Sequence, residues 1–373
     1  MRLNLVISSL DAGGAERVMG TLADAWAERG HEVDLFTTHD AGREPHYRLS
    51  PRVRRRSVDP RATGPWKQAA VVRSLRRAIR ESGPDAVVSF LNYTNILTLA
   101  ACRGLACPVI VSERLDPRII EIGPVWSLLR RLSYRRAARL VAQTPTAAAL
   151  FEHLAPGRVR VIPNPVLVQA DGPAPLPAAD RPTILCVGRL YPQKGFDLAL
   201  RAMALLPPAC DAWRLVILGE GPERPALESL RGELGLGERV QLPGQVPDPR
   251  PWLRQAGIFL MSSRSEGFPN ALCEAMAAGL PVVSTDCPSG PSDIVTPEVD
   301  GLLVPPEDPR AMAAALARLI ADGNLRARLA QAAPAVADRY SLDTVMAAWA
   351  TLLADVTGVA VPSDGCPPGS RTI

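Results

Sequence analysis

Nowhere in its 373 residues does the chain run for about 18 consecutive apolar residues, which excludes a bilayer-spanning helix. Histidine occurs only four times, and no two stand at metal-ligand spacing. Cysteine is sparse, with seven scattered residues, an odd number and never Cys-x-x-Cys. Cys102, Cys186 and Cys273 lie in apolar runs, so the set reads as buried thiols in a reducing compartment, not as a disulfide frame or zinc site. There is no G-x-G-x-x-G. The first turn reads Ser8-Ser9-Leu10-Asp11-Ala12-Gly13-Gly14-Ala15-Glu16, and the second strand ends in Phe36-Thr37-Thr38 instead of an acidic residue. Both absences argue against dinucleotide binding in the first half. The basic stretches carry no nucleic-acid motif and no run of interleaved aromatics, so nucleic acid is not an expected partner. No D-x-D sits where a divalent metal would be held, so no metal ligands are expected. The first strand opens with no signal-peptide pattern before it, so the protein is expected to stay in the cytoplasm.

What remains is an α/β pattern. Apolar residues make up 47% of the chain, enough to bury a core in each of two domains. Strand-like runs alternate with helical ones from Leu3–Ser8 to Gly301–Val304, which implies parallel sheets with helices on both faces. Pro163-Asn164-Pro165 ends the first domain. The predicted division is a domain over 1–165, a Pro/Ala/Gly-rich linker over 166–182, a second domain over 183–341, and a polar, disordered tail over 358–373. A last helix over 342–357 carries Val345, Trp349 and Leu352 on one stripe. Charge is uneven: residues 1–170 hold 25 Lys and Arg against 15 Asp and Glu, whereas 171–373 hold 17 against 23. The first half is therefore expected to face something anionic.

One stretch organises the second half. Between the strands Ile258–Met261 and Pro281–Thr285 lies Arg264-Ser265-Glu266-Gly267-Phe268-Pro269-Asn270-Ala271-Leu272-Cys273-Glu274. Pro269 fits the first helical turn, Leu272, Ala275 and Met276 share a face, and Gly279 reads as the stop. A helix beginning at a strand's carboxyl end aims bare N–H groups, here near Asn270 and Ala271, at an anion. Glu266 and Glu274 add acceptors for hydroxyl groups. A second loop, Gly188-Arg189-Leu190-Tyr191-Pro192-Gln193-Lys194-Gly195, places two cations after a strand. Glycines at a later strand end, Gly219 and Gly221, allow close approach to a ligand. An anion and hydroxyls together describe a nucleotide sugar.

Glu266 and Glu274, with seven residues between them, resemble the E-x7-E signature of family 4 retaining glycosyltransferases on the GT-B fold. The surrounding Glu-Gly-Phe-Pro-Asn-Ala-Leu and Ser284-Thr285-Asp286-Cys287-Pro288-Ser289-Gly290-Pro291 are similar to the branch that adds hexoses or N-acetylhexosamines to lipid-linked or polysaccharide chains. The resemblance implies two Rossmann-like doubly wound parallel-sheet domains facing across a cleft, with the last helix crossing back to the first domain. It implies a hexosyltransferase using a nucleotide sugar, UDP-linked by preference, with retention of configuration. That sugar is a substrate, and no cofactor or metal is implied. Glu266, Arg189 and Lys194 take the catalytic roles, the two cations holding the donor's pyrophosphate and Glu266 its sugar. Glu274 is implied for the ribose. Gly13, Gly14, Gly188, Gly219, Gly221, Gly244, Val246, Pro269, Asn270, Ala271 and Leu272 line the donor. Asn92, Glu113 and Arg114, at strand ends of the first domain, face acceptor and sugar. Many relatives have a histidine near the latter two, where this chain reads Ser112-Glu113-Arg114.

The arginines of the first half cluster as Arg73, Arg76, Arg77, Arg80 and as Arg131, Arg135, Arg139, spaced for two helices. Trp126, Leu128, Leu129, Leu132 and Leu140 give the second cluster an apolar edge. This is the pattern of interfacial helices, with cations for lipid phosphate and an edge to insert. The expected partners are the donor, a glycan or lipid-linked saccharide acceptor, and the anionic inner face of the plasma membrane. A sugar-nucleotide epimerase of the same fold, or a non-catalytic partner protein, are the alternatives.

Overall fold

The computed structural model describes residues 1–40, 43–60, 63, 64, 66–114, 116–118, 122–167 and 180–359. Most of the expected linker (168–179) and of the expected tail (360–373) lie outside them. The chain divides into two compact units. Unit 1 is Met1–Pro165 with the segment from Asp343 onward, and unit 2 is Val166–Leu342.

Unit 1 alternates strand and helix: β1 (Arg2–Ile7), α1 (Gly14–Glu28), β2 (Glu32–Thr37), β3 (Val53–Ser57), α2 (Lys67–Ser82), β4 (Ala86–Phe90), α3 (Asn92–Ala101), β5 (Val109–Ser112), α4 (Gly123–Tyr134), β6 (Arg139–Ala142), α5 (Pro145–Phe151) and β7 (Val159–Val161). The seven strands among the described residues form one sheet, in the order β3-β2-β1-β4-β5-β6-β7. Every pairing is parallel. The chain steps outward from β1 to β3 and then restarts on the other side of β1 with β4. That reversal is where doubly wound sheets open a crevice at their strands' carboxyl ends. Leu3, Leu5, Val87, Val88, Ile110 and Val111 are wholly buried, as expected of strands covered on both faces.

The stretch Ser89–Asn95, which the sequence offers as a polar strand end, leaves the strand at Phe90 and enters the helix α3 at Asn92. Eight of its residues are buried, including Asn92, Thr94, Asn95 and Thr98, so it shows no alternation of polar and apolar faces to betray it.

Unit 2 contains β8 (Thr183–Val187), α6 (Phe196–Ala204), β9 (Arg214–Leu218), α7 (Arg224–Glu233), β10 (Val240–Gly244), α8 (Arg250–Gln255), β11 (Ile258–Met261), α9 (Asn270–Ala277), β12 (Val282–Thr285), α10 (Pro291–Ile294), β13 (Leu302–Val304), α11 (Pro309–Ala321), α12 (Gly323–Ala332) and α13 (Ala335–Arg339). Its six-stranded parallel sheet runs β10-β9-β8-β11-β12-β13, so the reversal falls between β8 and β11. The chain then returns to unit 1 through α14 (Leu342–Thr357). There Trp349 meets Trp26 of α1 edge to face, ring centres 5.6 Å apart, and Arg139 reaches Asp355 at 2.5 Å.

Candidate functional site

The loops after β8 and β11, on either side of the reversal, bring Lys194 and Glu266 together. The Lys194 amino group lies 2.7 Å from Glu266 Oε1, and Ser263 Oγ donates to the same oxygen at 2.6 Å. Their side chains are 21% and 8% exposed, so the pair is partly withdrawn from water and stronger than a surface pair. Backbone contacts set this meeting. Lys194 ends a single 3₁₀ turn (Pro192–Lys194), and Gly195 follows at φ +61°, against the strand-end backbone. A Cβ on Gly195 would lie 2.1 Å from the Ser262 carbonyl oxygen, a place that admits only glycine. Ser262 Oγ donates to the Lys194 carbonyl at 3.0 Å, completing the seam. A Cβ on Gly188 would sit tightly against the Phe196 ring, at 3.3 Å, and in ordinary contact with the Lys194 stem. Arg189 is exposed, its guanidinium 5.1 Å from the Tyr191 ring centre.

A second clamp has no counterpart in the sequence reading. Arg264 Nη1 and Nη2 donate to the two oxygens of Asp197, at 2.7 and 2.8 Å, and Nη1 also reaches the Pro192 carbonyl at 2.8 Å. Arg264 Nε lies 2.6 Å from Glu307. Burial pushes the Asp197 carboxyl up, but the bonds and charge of Arg264 outweigh it and hold the group below its ordinary value. This bidentate pair ties the start of α6 to the loop carrying Glu266. Thr285 Oγ1 adds a bond to the Ser263 carbonyl at 2.5 Å.

Pro269 stands one residue ahead of α9, not inside its first turn. Asn270, Ala271 and Leu272 open the helix, Leu272 fully buried, and Glu274 follows half-buried in its second turn. The loop after β12 folds onto Pro269: a Cβ on Gly290 would sit 2.9 Å from Pro269 Cδ. Of the strand-end glycines, Gly219 and Gly221 approach the chain itself. Their Cβ atoms would lie 1.8 Å from the Gly188 carbonyl oxygen and 2.3 Å from that of Leu190. They pack the β9 loop against the β8 loop, which refines their reading as ligand-facing positions. Gly244, at φ +95°, faces Glu220, and Val246 packs on the core beneath.

In unit 1, Gly13 precedes α1 with an extended backbone, and Gly14 is its first residue. Asn92 is 6% exposed and accepts from the Tyr93 backbone N–H through Oδ1 at 2.7 Å. Glu113 is buried, and its Oε1 accepts from the Tyr134 hydroxyl. Asn95 donates to that hydroxyl at 3.1 Å. This corrects the sequence reading: Glu113 is engaged with the last residue of α4 and acts as an internal tether. Burial pushes its carboxyl up, against the Tyr134 bond and the charge of Arg130. Arg114, also buried, stacks on Phe90.

The basic clusters need correcting too. Arg131 is on α4, but Arg135 only caps it, and Arg139 opens β6. Leu140 is buried in that strand. On α2, Arg76 donates to the Ala101 and Arg103 carbonyls, both at 2.7 Å, and so closes the end of α3. What α4 does present is an apolar face, with Val125, Leu128, Leu129 and Leu132 67, 57, 42 and 53% exposed. No helix among the described residues is long and apolar enough to cross a membrane.

The two halves of the chain match two family descriptions: residues 12–169 match "Glycosyltransferase Family 4", and residues 181–322 match "Glycosyl transferases group 1". The lipopolysaccharide core biosynthesis glycosyltransferase LpsE of Rhizobium meliloti is 30% identical over 92% of this chain and 96% of its own length. The GalNAc-alpha-(1->4)-GalNAc-alpha-(1->3)-diNAcBac-PP-undecaprenol alpha-1,4-N-acetyl-D-galactosaminyltransferase of Campylobacter jejuni is 29% identical over 95% of this chain and 99% of its own. Among solved structures, sucrose-phosphate synthase of Thermosynechococcus elongatus superposes with a TM-score of 0.83 at 22% identity, covering 96% of this chain and 99% of that one. HepE of Anabaena, in complex with UDP and glucose, gives 0.78 at 19%, covering 95% and 100%. These likenesses identify the two parallel-sheet units as the GT-B fold. With the sequence relatives, they establish that the chain belongs to glycosyltransferase family 4 and is a hexosyltransferase.

Proposed function

We propose that the protein moves a hexose or N-acetylhexosamine from a UDP-sugar to a lipid-linked saccharide, with retention and without a metal. The contact between Lys194 and Glu266 carries the reading, because it sets a cation and a carboxylate together at the ligand end of the sheet. Breaking the bond from the anomeric carbon to phosphate puts negative charge on the departing diphosphate. Arg189, Lys194 and the first N–H groups of α9 supply the opposing potential. Glu266 then turns to hydroxyls of the donor sugar, while Glu274 takes the ribose hydroxyls. The acceptor attacks from the face that the diphosphate leaves, and a diphosphate oxygen takes its proton.

The acceptor class is supported by the Campylobacter relative, whose name gives a PP-undecaprenol substrate. A lipid-linked acceptor needs a membrane, and α4 suits its anionic inner face. Its exposed Val125, Leu128, Leu129 and Leu132 end beside the exposed Arg131, Arg135 and Arg136. The test is transfer itself. Purified protein is incubated with UDP-, GDP- and ADP-sugars and a polyprenyl-diphosphate saccharide, with and without EDTA. Product from one UDP-sugar, its anomeric configuration kept and its rate unchanged by EDTA, is expected. Interconversion of free nucleotide sugars without transfer would replace the reading with an epimerase.

A further inference from the structure

Arg114 follows β5 at the carboxyl edge of the unit 1 sheet, between the ends of β4 and β6. It is 5% exposed. Its guanidinium lies over Phe90, 3.6 Å from the ring centre, and Nη1 donates to Asn164 Oδ1. That oxygen also accepts from Gln143 Nε2 at 3.1 Å. Nε has no hydrogen-bond partner. Among the described residues no carboxylate pairs with Arg114: its neighbour Glu113 is held by Tyr134, and Asp116 is paired with Arg118. Burial lowers the pKa to about 9, so the group is still charged at neutral pH.

A cation withdrawn from water without a counter-ion is strongly unfavourable, and one amide oxygen and a ring face offset only part of that. An unbranched apolar side chain would fill the same space at lower cost. The charge therefore points outside the chain, to a ligand. With Nη1 bound to Asn164, Nε is a buried nitrogen without a hydrogen-bond partner in the chain. The Nε edge of a guanidinium takes two oxygens of a phosphate or carboxylate side-on. The place fits as well, since parallel sheets bind ligands at this end of their strands. Leu91, next to Phe90, holds φ 76°, a costly left-handed value for leucine of the kind that collects at ligand sites.

We infer that Arg114 is the receptor for an oxyanion of the acceptor, its Nε edge taking a phosphate of the lipid diphosphate. The inference rests on the reading of the acceptor as a lipid-linked saccharide.

The full chain and its Arg114→Met and Arg114→Lys variants would be compared on two acceptors. One is a disaccharide on a short polyprenyl diphosphate, the other the same disaccharide on a neutral alkyl chain. Arg114→Met is expected to raise the KM for the diphosphate acceptor by roughly 10- to 100-fold relative to that for the neutral acceptor. Arg114→Lys, with a point charge in place of the planar fork, should fall between. Without ligand, Arg114→Met should melt about 2–4 °C above the wild type, because the uncompensated charge is gone. Under saturating UDP, inorganic pyrophosphate should raise the melting temperature of the wild type but not of Arg114→Met. An unchanged ratio of the two acceptor KM values would overturn the inference. So would a lower melting temperature with normal kinetics, which would make Arg114 a structural partner of Asn164. A rise in the donor KM alone would assign the oxyanion to the donor. If the wild type transfers to neither acceptor, the proposed activity fails, and the pyrophosphate shift still decides what Arg114 binds.

Discussion

Lys194 and Glu266 neutralise one another at 2.7 Å, so neither can be changed without exposing the other. Lys194→Ala removes a cation that stabilises the leaving diphosphate and leaves Glu266, its side chain 8% exposed, with its bond from Ser263. We expect kcat to fall by about 10²- to 10³-fold. Glu274→Ala should act on binding, raising the donor KM with a smaller change in kcat. Equal kcat for wild type and Lys194→Ala would remove Lys194 from the chemistry. Glu113 gives a prediction of another kind. Its folded pKa is raised above the ordinary 4.5, chiefly by burial. The stability it contributes is therefore complete below 4.5 and is lost as pH climbs through the raised value. Urea midpoints between pH 4.5 and 8 should show the wild type losing ground to Glu113→Gln as pH rises, and a constant difference would rule the linkage out. These residues also show what a sequence can reveal. The placement of Glu266 in a loop and of Glu274 in the helix after it was legible because both belong to one local stretch with glycine and proline at its turns. Arg264 and Asp197 are 67 positions apart, and nothing in either segment signals that they meet. Glu113 misled because a polar residue at a strand end reads as ligand-facing, while its burial depends on Tyr134 of a different element.

At the scale of the element, strands were legible almost to the residue, since short apolar runs bounded by glycine and polar turns identify buried parallel strands. Helices were legible only when one face met water. α3 was missed because burial all round erases its period, and α4 was extended too far because the arginine spacing continues past its end into β6. α4 is also where an element-scale prediction lies. Among its helical residues only Tyr134 is buried, so its apolar face is left over after folding. On anionic vesicles each basic side chain near the surface is worth about 1 kcal/mol, and the leucines add burial of their own. In co-sedimentation, replacing Arg131, Arg135 and Arg136 by Gln should abolish binding to phosphatidylglycerol vesicles at moderate salt. Leu128→Ser with Leu132→Ser should weaken it at every salt concentration. Wild-type protein that stays in the supernatant with anionic vesicles would remove the membrane from the reading.

For the whole molecule, connectivity decides which parts share their stability. Unit 1 is made from both ends of the described chain, and unit 2 is inserted between them. The last helix, α14, is integral to unit 1: Val345, Met346, Trp349, Leu352 and Leu353 are buried, and Trp349 meets Trp26 across 5.6 Å. Trp349→Ala removes the largest of these contacts. It should cost about 3–5 kcal/mol, the range for deleting a buried aromatic ring. The damage should be local, because unit 2 keeps separate cores under its own sheet, built from residues such as Leu215, Leu260, Leu272 and Met276. Hydrogen exchange is the measurement that resolves the two. Faster exchange is expected through α1, β1 and β2, with amides of β8, β11 and α9 unchanged. Nucleotide should still protect α9 in the variant, since Arg189, Lys194 and the first N–H groups of α9, proposed to stabilise the departing diphosphate, all lie in unit 2. Uniform loss of protection across both units would mean that they unfold as one cooperative body and that stability passes from one core to the other. Protection lost only in unit 1 would mean that the two units hold their stability separately, with α14 belonging to the first.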